Sequence, residues 1–135
     1  MRSGRVERLR AMTPNFIRQF ERSISTRFPG TILWSTWHEK GAHLSSLVRA
    51  TLAIHRIEVE QSQRGQGIGS QIFHSLFLLA DQEQFDITLT PSDQFGGKLP
   101  KLRRWYRRLG FTTNESSWAE LRYTPKIVLD NNGQV

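Results

Sequence analysis

The feature that most constrains this sequence is a glycine-rich turn between a strand-like segment and a helix-like segment. Residues 47–59 are rich in β-branched side chains, which predicts a long strand. The turn follows as RGQGIGS over residues 64–70. After it, apolar side chains recur at helical spacing, at Ile68, Ile72, Phe73, Leu76, Phe77 and Ala80. A strand, a sharp turn and a helix in succession are typical of α/β and α+β folds.

The glycines of this turn predict a binding site for an anion. Glycine lets the backbone turn sharply and lets amide groups approach a ligand closely. The helix that follows offers free N–H groups and the positive end of its dipole, which favour phosphate or pyrophosphate. The lysine of a P-loop is missing, and Ser70 stands where a dinucleotide fingerprint has its third glycine. The turn therefore differs from both common nucleotide-binding motifs.

Composition limits the kind of protein further. The chain has 135 residues, which predicts one domain, and 37% hydrophobic residues, which favours a globular fold over disorder. The absence of cysteine excludes disulfides, thiolate metal sites and a cysteine nucleophile. The apolar runs are too short for a bilayer, and no signal-peptide run follows the arginine-rich start. We expect a soluble, cytoplasmic protein in which residues 1–12 are a flexible basic N-terminus.

The positive charge predicts an anionic partner without specifying which one. With 19 Lys and Arg against 12 Asp and Glu, the net charge is 19 − 12 = +7. Such a charge raises the local concentration of phosphates, nucleic acids and acidic proteins. The densest cluster consists of Lys98, Lys101, Arg103, Arg104, Arg107 and Arg108. It fits a solvated helix face and a phosphate- or polynucleotide-binding surface equally well.

Periodicity and turn residues predict the remaining elements. Two helices are predicted, one between Thr13-Pro14 and Pro29-Gly30 and one that ends at Gly110. The apolar side chains of the second helix are Leu99, Leu102, Trp105, Tyr106 and Leu109. Strands are predicted at 31–38 and 86–90, and a pair of strands around 111–114 and 118–123. This order predicts an α/β or α+β domain in which helices flank both faces of a mixed central sheet.

The turn resembles the acyl-CoA-binding turn [RQ]-x-x-G-x-[GA] of the GNAT (acyl-CoA N-acyltransferase) superfamily, through Arg64, Gly67 and Gly69. The end of the preceding strand is similar to V-x-P-x-x-R-G, with Gln61 where the family has Pro. A later YRRLGF, residues 106–111, is similar to Y-x-x-L-G-F. The resemblance covers about residues 50–112, and the segment 89–106 is also similar to short GNAT proteins carried by bacteriophages.

The resemblance implies a single GNAT domain over residues 1–135 with a GNAT-like central sheet. It implies an acetyl-CoA-dependent N-acetyltransferase that works by direct attack of an amine on the thioester, without a metal. The acceptor is an unspecified amine on a small molecule, protein or RNA, and the chain is a monomer or a homodimer. An alternative is a nucleic-acid-directed acyltransferase, or a basic nucleic-acid-binding protein on a GNAT-like scaffold.

The resemblance also assigns roles to individual residues. Main-chain groups of Ile57 and Val59 would hold the pantetheine arm and polarise the acetyl carbonyl. Tyr106 would lie near the thioester sulfur as the catalytic acid. The CoA pyrophosphate would be held by Arg64, Gly65, Gln66, Gly67, Ile68, Gly69 and Ser70.

The general base is less sharply defined by the sequence. His55 lies four residues before Val59, so strand alternation predicts both on one face of the strand. Glu58 and Glu60 then alternate to the other face unless a bulge intervenes. Other candidates remain open, namely His38, His43, Asp93 and an ordered water chain.

One position departs from the family pattern. Many GNAT enzymes carry Asn seven residues before the tyrosine, where this chain has Leu99. A usual polar contact is therefore missing or supplied elsewhere. Lys98, Lys101 and Arg103 are candidates for contacts with CoA phosphates.

Overall fold

A computed structural model describes residues 12–39, 49–92, 98–114 and 117–127. His43, Asp93 and the N-terminal residues 1–11 lie outside the described residues. The helices are α1 (Asn15–Arg27), α2 (Ile68–Glu83) and α3 (Leu99–Leu109). The strands are β1 (Ile32–His38), β2 (Thr51–Glu58), β3 (Asp86–Leu89), β4 (Thr112–Asn114) and β5 (Ser117–Tyr123).

The five strands form one mixed sheet in the order β1-β2-β3-β5-β4. β2 and β3 are parallel, and the other neighbouring pairs are antiparallel. The parallel pair is joined by the crossover helix α2, as parallel strands require. The predicted α+β fold class, a mixed central sheet with flanking helices, is confirmed.

Local sequence signals account for the helix boundaries. The Pro14 carbonyl accepts the amide protons of Ile17 and Arg18 at the start of α1. α3 has Pro100 in its first turn and ends at Gly110, whose φ of +135° suits glycine. The strand predicted over 47–59 is shorter than expected, because Arg49 and Ala50 lie outside β2.

A cluster of aromatic rings fixes the two helices nearest the glycine turn. Phe73 of α2 makes edge-to-face contacts with Trp105 and Tyr106 of α3 and with Phe111, at centroid distances of 6.0, 5.7 and 5.6 Å. Each such pair adds about 0.5–1.5 kcal/mol beyond burial of area. The orientation of the Tyr106 ring is therefore set by the core.

The two faces of the sheet differ in character. We predicted helices on both faces, but within the described ranges the three helices share one hydrophobic cluster with the same face, because the apolar stripe of each packs there. The opposite face carries polar groups. On it, the buried carboxylate of Asp86 accepts hydrogen bonds from Arg49 and Arg122 at 3.0 and 2.6 Å. One sheet face is thus left for polar contacts.

Tyr123 anchors the end of β5 to α2 and gives a test of the fold. Its hydroxyl donates to Asp81 Oδ1 at 2.8 Å, and the same oxygen accepts the amide proton of Lys126. We expect Tyr123→Phe to lower the free energy of unfolding by about 1.5 kcal/mol, the usual scale for a hydrogen bond to a charged group. Urea unfolding at pH 8 measures this change.

The contribution of the Tyr123 hydroxyl has a defined pH dependence. Burial, followed by the hydrogen bond and charge of Asp81, raises the Tyr123 pKa above its usual 10.0. The native state therefore holds the hydroxyl proton of Tyr123 more tightly than the unfolded state does. The contribution of this hydroxyl to the free energy of unfolding is full below pH 10 and declines as the pH rises above 10. The difference between wild type and Tyr123→Phe should shrink between pH 10 and 11.5, and a constant difference would contradict this assignment.

Candidate functional site

The glycine turn, residues 64–70, leaves open space in front of its backbone. Gly65 and Gly67 have φ of +85° and +77°, a region that L side chains rarely adopt. A Cβ added at either residue would meet no atom within 4 Å. Gly69 is different, because a Cβ there would lie 3.1 Å from the Trp105 ring. Gly69 therefore allows α2 and α3 to pack closely, whereas Gly65 and Gly67 border free space.

The backbone amides of the turn are available as donors. Among the described residues, no backbone hydrogen bond uses the N–H groups from Gly65 to Ser70, and the first donating amide is that of Gln71, to the Gly67 carbonyl at 3.0 Å. Gly67 is the N-cap of α2 and provides no side-chain cap. Free amides and the positive end of the helix dipole together favour an anion.

A cleft of about 390 Å³, here called the turn cleft, lies directly against this turn. This volume is within the usual range for small-molecule sites. All the residues predicted to bind the cofactor line it except Gln66, which is exposed. Sequence reasoning missed three further lining residues, which are Gln63, Leu102 and Trp105. Tyr106, the predicted catalytic acid, also lines this cleft. Leu102 and Trp105 share the apolar stripe of Tyr106, so helical spacing was the signal for them.

Strands β2 and β3 separate beside the turn cleft. Their pairing ends at Ile54 opposite Leu89, whereas β2 continues to Glu58 alongside β1. The β2 backbone beyond Ile54 therefore has no strand partner on the β3 side. A second cleft of about 180 Å³, here called the strand cleft, occupies this gap. It shares Ile57, Val59, Arg64, Leu102 and Tyr106 with the turn cleft.

Tyr106 lies where the two clefts meet. Its side chain is 9% exposed and lines both. Burial raises the pKa of Tyr106 above its usual 10.0, so the hydroxyl is protonated at neutral pH. No hydrogen bond to its hydroxyl occurs within the part of the chain that the structure describes. The hydroxyl is therefore a proton donor without an internal acceptor.

A β-bulge at His55 changes which face of β2 the residues after it occupy. The register between β1 and β2 shifts at Trp34 and Ser35, so His55 is the extra residue on β2. The prediction that His55 and Val59 share a face is wrong. Val59 packs with the hydrophobic cluster of α1 and α2, while His55 contacts Thr36 on the polar face. In a β-bulge, two consecutive residues direct their side chains to the same face of the sheet, so every later side chain of the strand lies on the face opposite to the one that simple alternation predicts.

His55 borders the strand cleft from the polar face. Its Nε2 lies 2.7 Å from the Thr36 hydroxyl, and its ring packs on exposed Trp34 at a centroid distance of 4.8 Å. Burial lowers the pKa of His55 below its usual 6.5, and the charge of His38 lowers it further. His55 is therefore neutral at pH 7 and able to accept a proton. The lining of the strand cleft therefore includes residues from both faces of the sheet.

The carboxylates near His55 are held by other groups. Glu58 pairs with Arg56 and with Arg64, the latter at 3.6 Å. Arg64 Nε also donates to the Val59 carbonyl at 3.0 Å, which ties the end of β2 to the glycine turn. Glu60 accepts a hydrogen bond from Ser62. Glu58 is thus a structural anion between two guanidinium groups.

The predicted basic cluster forms the outer surface of α3. Arg103 donates to the Ala119 carbonyl at 3.1 Å and has a structural role. The remaining cations, here called the basic face, are exposed and form no ion pair among the described residues; they are Lys98, Lys101, Arg104, Arg107 and Arg108. Leu99 is half-buried at the start of the helix.

The mixed central sheet with flanking helices, and the glycine turn with free amides at the start of α2, agree with the fold that the resemblance implied. The fold is GNAT-like. No protein-family model matches the chain. No curated protein matches it.

Several solved structures are similar to this GNAT-like chain. They include a mutant of the AtaT toxin bound to the C-terminus of the antitoxin AtaR and acetyl-CoA (13% identity, 70% of this chain, 56% of that chain, TM-score 0.42). A KacTA–DNA complex has 16% identity over 70% of this chain and 56% of that chain, with a TM-score of 0.43. An integron cassette protein from the mobile metagenome of V. cholerae has 19% identity over 76% of this chain and 56% of that chain, with a TM-score of 0.45. The chain thus spans about half the length of these proteins.

None of the described helices combines the length and the apolar character needed to cross a membrane. Within the same residues, no group of three or more His, Asp or Glu side chains is arranged to hold a metal ion.

Proposed function

We propose that this protein is an N-acetyltransferase that moves the acetyl group of acetyl-CoA to an amine by direct attack. One observation carries the proposal. The turn cleft and the strand cleft share five lining residues, Tyr106 among them, so together they extend from the free amides of the glycine turn to the gap between β2 and β3. They offer an anion cradle at one end and a proton donor at Tyr106.

The donor would lie along these two clefts. The diphosphate of acetyl-CoA would accept hydrogen bonds from the amides of residues 64–70, with the Ser70 hydroxyl as a further donor. The pantetheine arm would follow the unpaired edge of β2 past Ile57 and Val59. The thioester would then reach the junction of the two clefts at Tyr106.

The chemistry needs an oxyanion donor, an acid and a base. An unpaired main-chain N–H of β2 at Ile57 or Val59 would stabilise the charge on the carbonyl oxygen, a contribution of about 3–4 kcal/mol in other enzymes. An ordinary tyrosine is less acidic than an ordinary thiol, so full proton transfer to the leaving thiolate is uphill by roughly 2 kcal/mol. Tyr106 would therefore act mainly by hydrogen bonding to the sulfur. His55 would accept the proton of the amine.

The decisive experiment is calorimetric titration with acetyl-CoA, followed by assay of thiol release with a panel of primary amines. Acetyl-pantetheine, which lacks the diphosphate, is the matched control ligand. We expect it to bind at least 100-fold more weakly than acetyl-CoA, because it cannot use the glycine turn. Absence of acetyl-CoA binding at millimolar concentration would exclude the proposed activity.

The basic face supports a second candidate function, in which the chain acts on or binds a nucleic acid. Four exposed cations on α3 and a fifth at its N-cap, with no acidic residue in the helix, form a surface that complements a phosphodiester backbone. The apolar side of α3 is fixed in the core, so this charge faces outward next to the wall of the turn cleft. A nucleic acid bound there would lie close to Tyr106.

Charge removal tests the second candidate. We expect Arg104→Gln with Arg108→Gln to weaken binding to single-stranded RNA and to reduce the slope of log affinity against log salt by about 1.4, since each phosphate contact contributes roughly 0.7. Fluorescence anisotropy at several salt concentrations measures both. The matched control is Arg22→Gln with Lys126→Gln, which removes the same charge from exposed positions elsewhere. Equal losses in the two variants would indicate that only net charge matters.

A further inference from the structure

Two histidines and a threonine form a hydrogen-bonded chain on the polar face of the sheet. The Thr36 hydroxyl lies 2.7 Å from His55 Nε2 and 2.9 Å from His38 Nε2. A hydroxyl has a single proton to donate, and each neutral imidazole has one donor nitrogen and one acceptor nitrogen. With both rings neutral, one histidine donates to Thr36 and the other accepts from it. The chain therefore has a direction along which a proton can move.

Both imidazole rings of this chain are exposed, but only one of them lies at a cleft. His55 lines the strand cleft, where the proposed acceptor amine would meet the thioester. His38 is the last residue of β1, is exposed to solvent and lines neither cleft. Thr36 pairs with Ala53, and ordinary alternation from Ala53 to His55 places Thr36 and His55 on the same face. The chain thus connects the cleft with bulk water.

We propose that His55, Thr36 and His38 form a proton relay from the acceptor amine to solvent. The proposal rests on the proposed acetyl transfer and adds two residues to its machinery. The acceptor ammonium gives one N–H proton to His55 Nδ1, and the freed electron pair attacks the thioester carbon. His55 passes its Nε2 proton to Thr36 Oγ1, the hydroxyl proton moves to His38 Nε2, and His38 Nδ1 releases a proton to water. One proton leaves the amine and one enters the solvent.

The surroundings of His55 suit this role. Among the described residues, the titratable and charged groups around it are His38 on β1, Arg56 and Glu58 on β2, and Arg64 and Tyr106 in the lining of the strand cleft. Arg56 and Glu58 pair with each other, and Tyr106 is neutral at physiological pH. The lowered pKa of His55 places the acid limb of kcat/KM below pH 6.5.

Replacement of the bridging hydroxyl is the main test. The variant Thr36→Val keeps the shape of the side chain but removes the hydroxyl. We expect it to lower kcat about tenfold at pH 7 and to leave the KM for acetyl-CoA unchanged. A tenfold loss is a part of the roughly 10²–10⁴-fold that acid–base catalysis supplies. Thr36→Ser should restore the rate, because it restores the hydroxyl. His38→Gln should match Thr36→Val, since an amide can bond to Thr36 but cannot relay the proton. His74→Gln on α2, an exposed histidine outside both clefts, is the control.

A second readout is independent of turnover. In ¹⁵N NMR spectra of the wild-type protein, one of the two Nε2 atoms should carry a proton that it donates to Thr36, and the other should accept the Thr36 proton. In Thr36→Val, both Nε2 atoms should lose this hydrogen-bonded signature. Unchanged kcat in Thr36→Val, or ring-nitrogen signals that Thr36→Val does not alter, would overturn the relay. The hydrogen-bonded signature in a protein that transfers acetyl to no amine would instead overturn the proposed function and leave the hydrogen-bonded chain intact.

Discussion

Gly67→Asp is expected to abolish acetyl-CoA binding while leaving the protein folded. The residue is the N-cap of α2 at a φ of +77°, and Asp tolerates this region better than most side chains. Asp is also a preferred N-cap, because its carboxylate accepts hydrogen bonds from the first helical amides. Those same amides would hold the diphosphate, so the carboxylate would both occupy them and repel the ligand. Loss of two charge-assisted hydrogen bonds, at about 1.5–3 kcal/mol each, predicts at least a 100-fold weaker Kd by calorimetry.

Gly67→Asn is the matched control for this prediction. It has the same shape and the same tolerance for a positive φ but no charge, so its Kd should fall between those of wild type and Gly67→Asp. Thermal unfolding should show both variants at least as stable as Gly67→Ala, which has a strained backbone and no cap. Acetyl-CoA binding by Gly67→Asp with wild-type affinity would show that the diphosphate lies elsewhere.

Tyr106→Phe is expected to lower kcat about 100-fold, with the Kd for acetyl-CoA changed less than twofold. The substitution removes a hydroxyl that no described residue uses and keeps the ring among Phe73, Trp105 and Phe111. The core should therefore be preserved, whereas the departing thiolate would lose its hydrogen-bond donor. A loss of this size is at the lower end of what acid–base catalysis contributes. Single-turnover rates and calorimetry separate the chemical step from binding.

Tyr123→Phe provides the comparison for Tyr106→Phe. Tyr123 is also buried with a raised pKa, but its hydroxyl is bonded to Asp81 and lines neither cleft. The Tyr123→Phe variant should therefore lose stability and keep its kcat. If Tyr106→Phe kept full turnover, Tyr106 would be a core residue and the acid would have to be sought elsewhere.

Local sequence patterns predicted the parts of the site that depend on neighbouring residues. The φ values of Gly65 and Gly67 are a local property, so the alternating glycines before a periodic helix were enough to locate free amides at an N-terminus. The apolar stripe of α3 likewise placed Tyr106 on the inward side of its helix. For the same reason, most element boundaries agree with the sequence-based prediction within a few residues.

Contacts between distant segments could not be read in the same way. The bulge at His55 depends on the register between β1 and β2, and one extra residue was enough to reverse the face of every later side chain in the strand. The same register brings Thr36 and His38 to His55, although 19 residues separate Thr36 from His55. The packing of Trp105 against Gly69 requires the final placement of α2 and α3.

The sequence by itself therefore determined a glycine turn with free amides, a mixed sheet with helices and an inward-facing tyrosine, because each follows from the backbone preferences and periodicity of adjacent residues. Only the tertiary structure decided where the parallel strands separate, which face of β2 the residues after His55 occupy and how two clefts meet at Tyr106. Those features depend on strand register and side-chain packing between segments far apart in the chain, for which no local pattern exists.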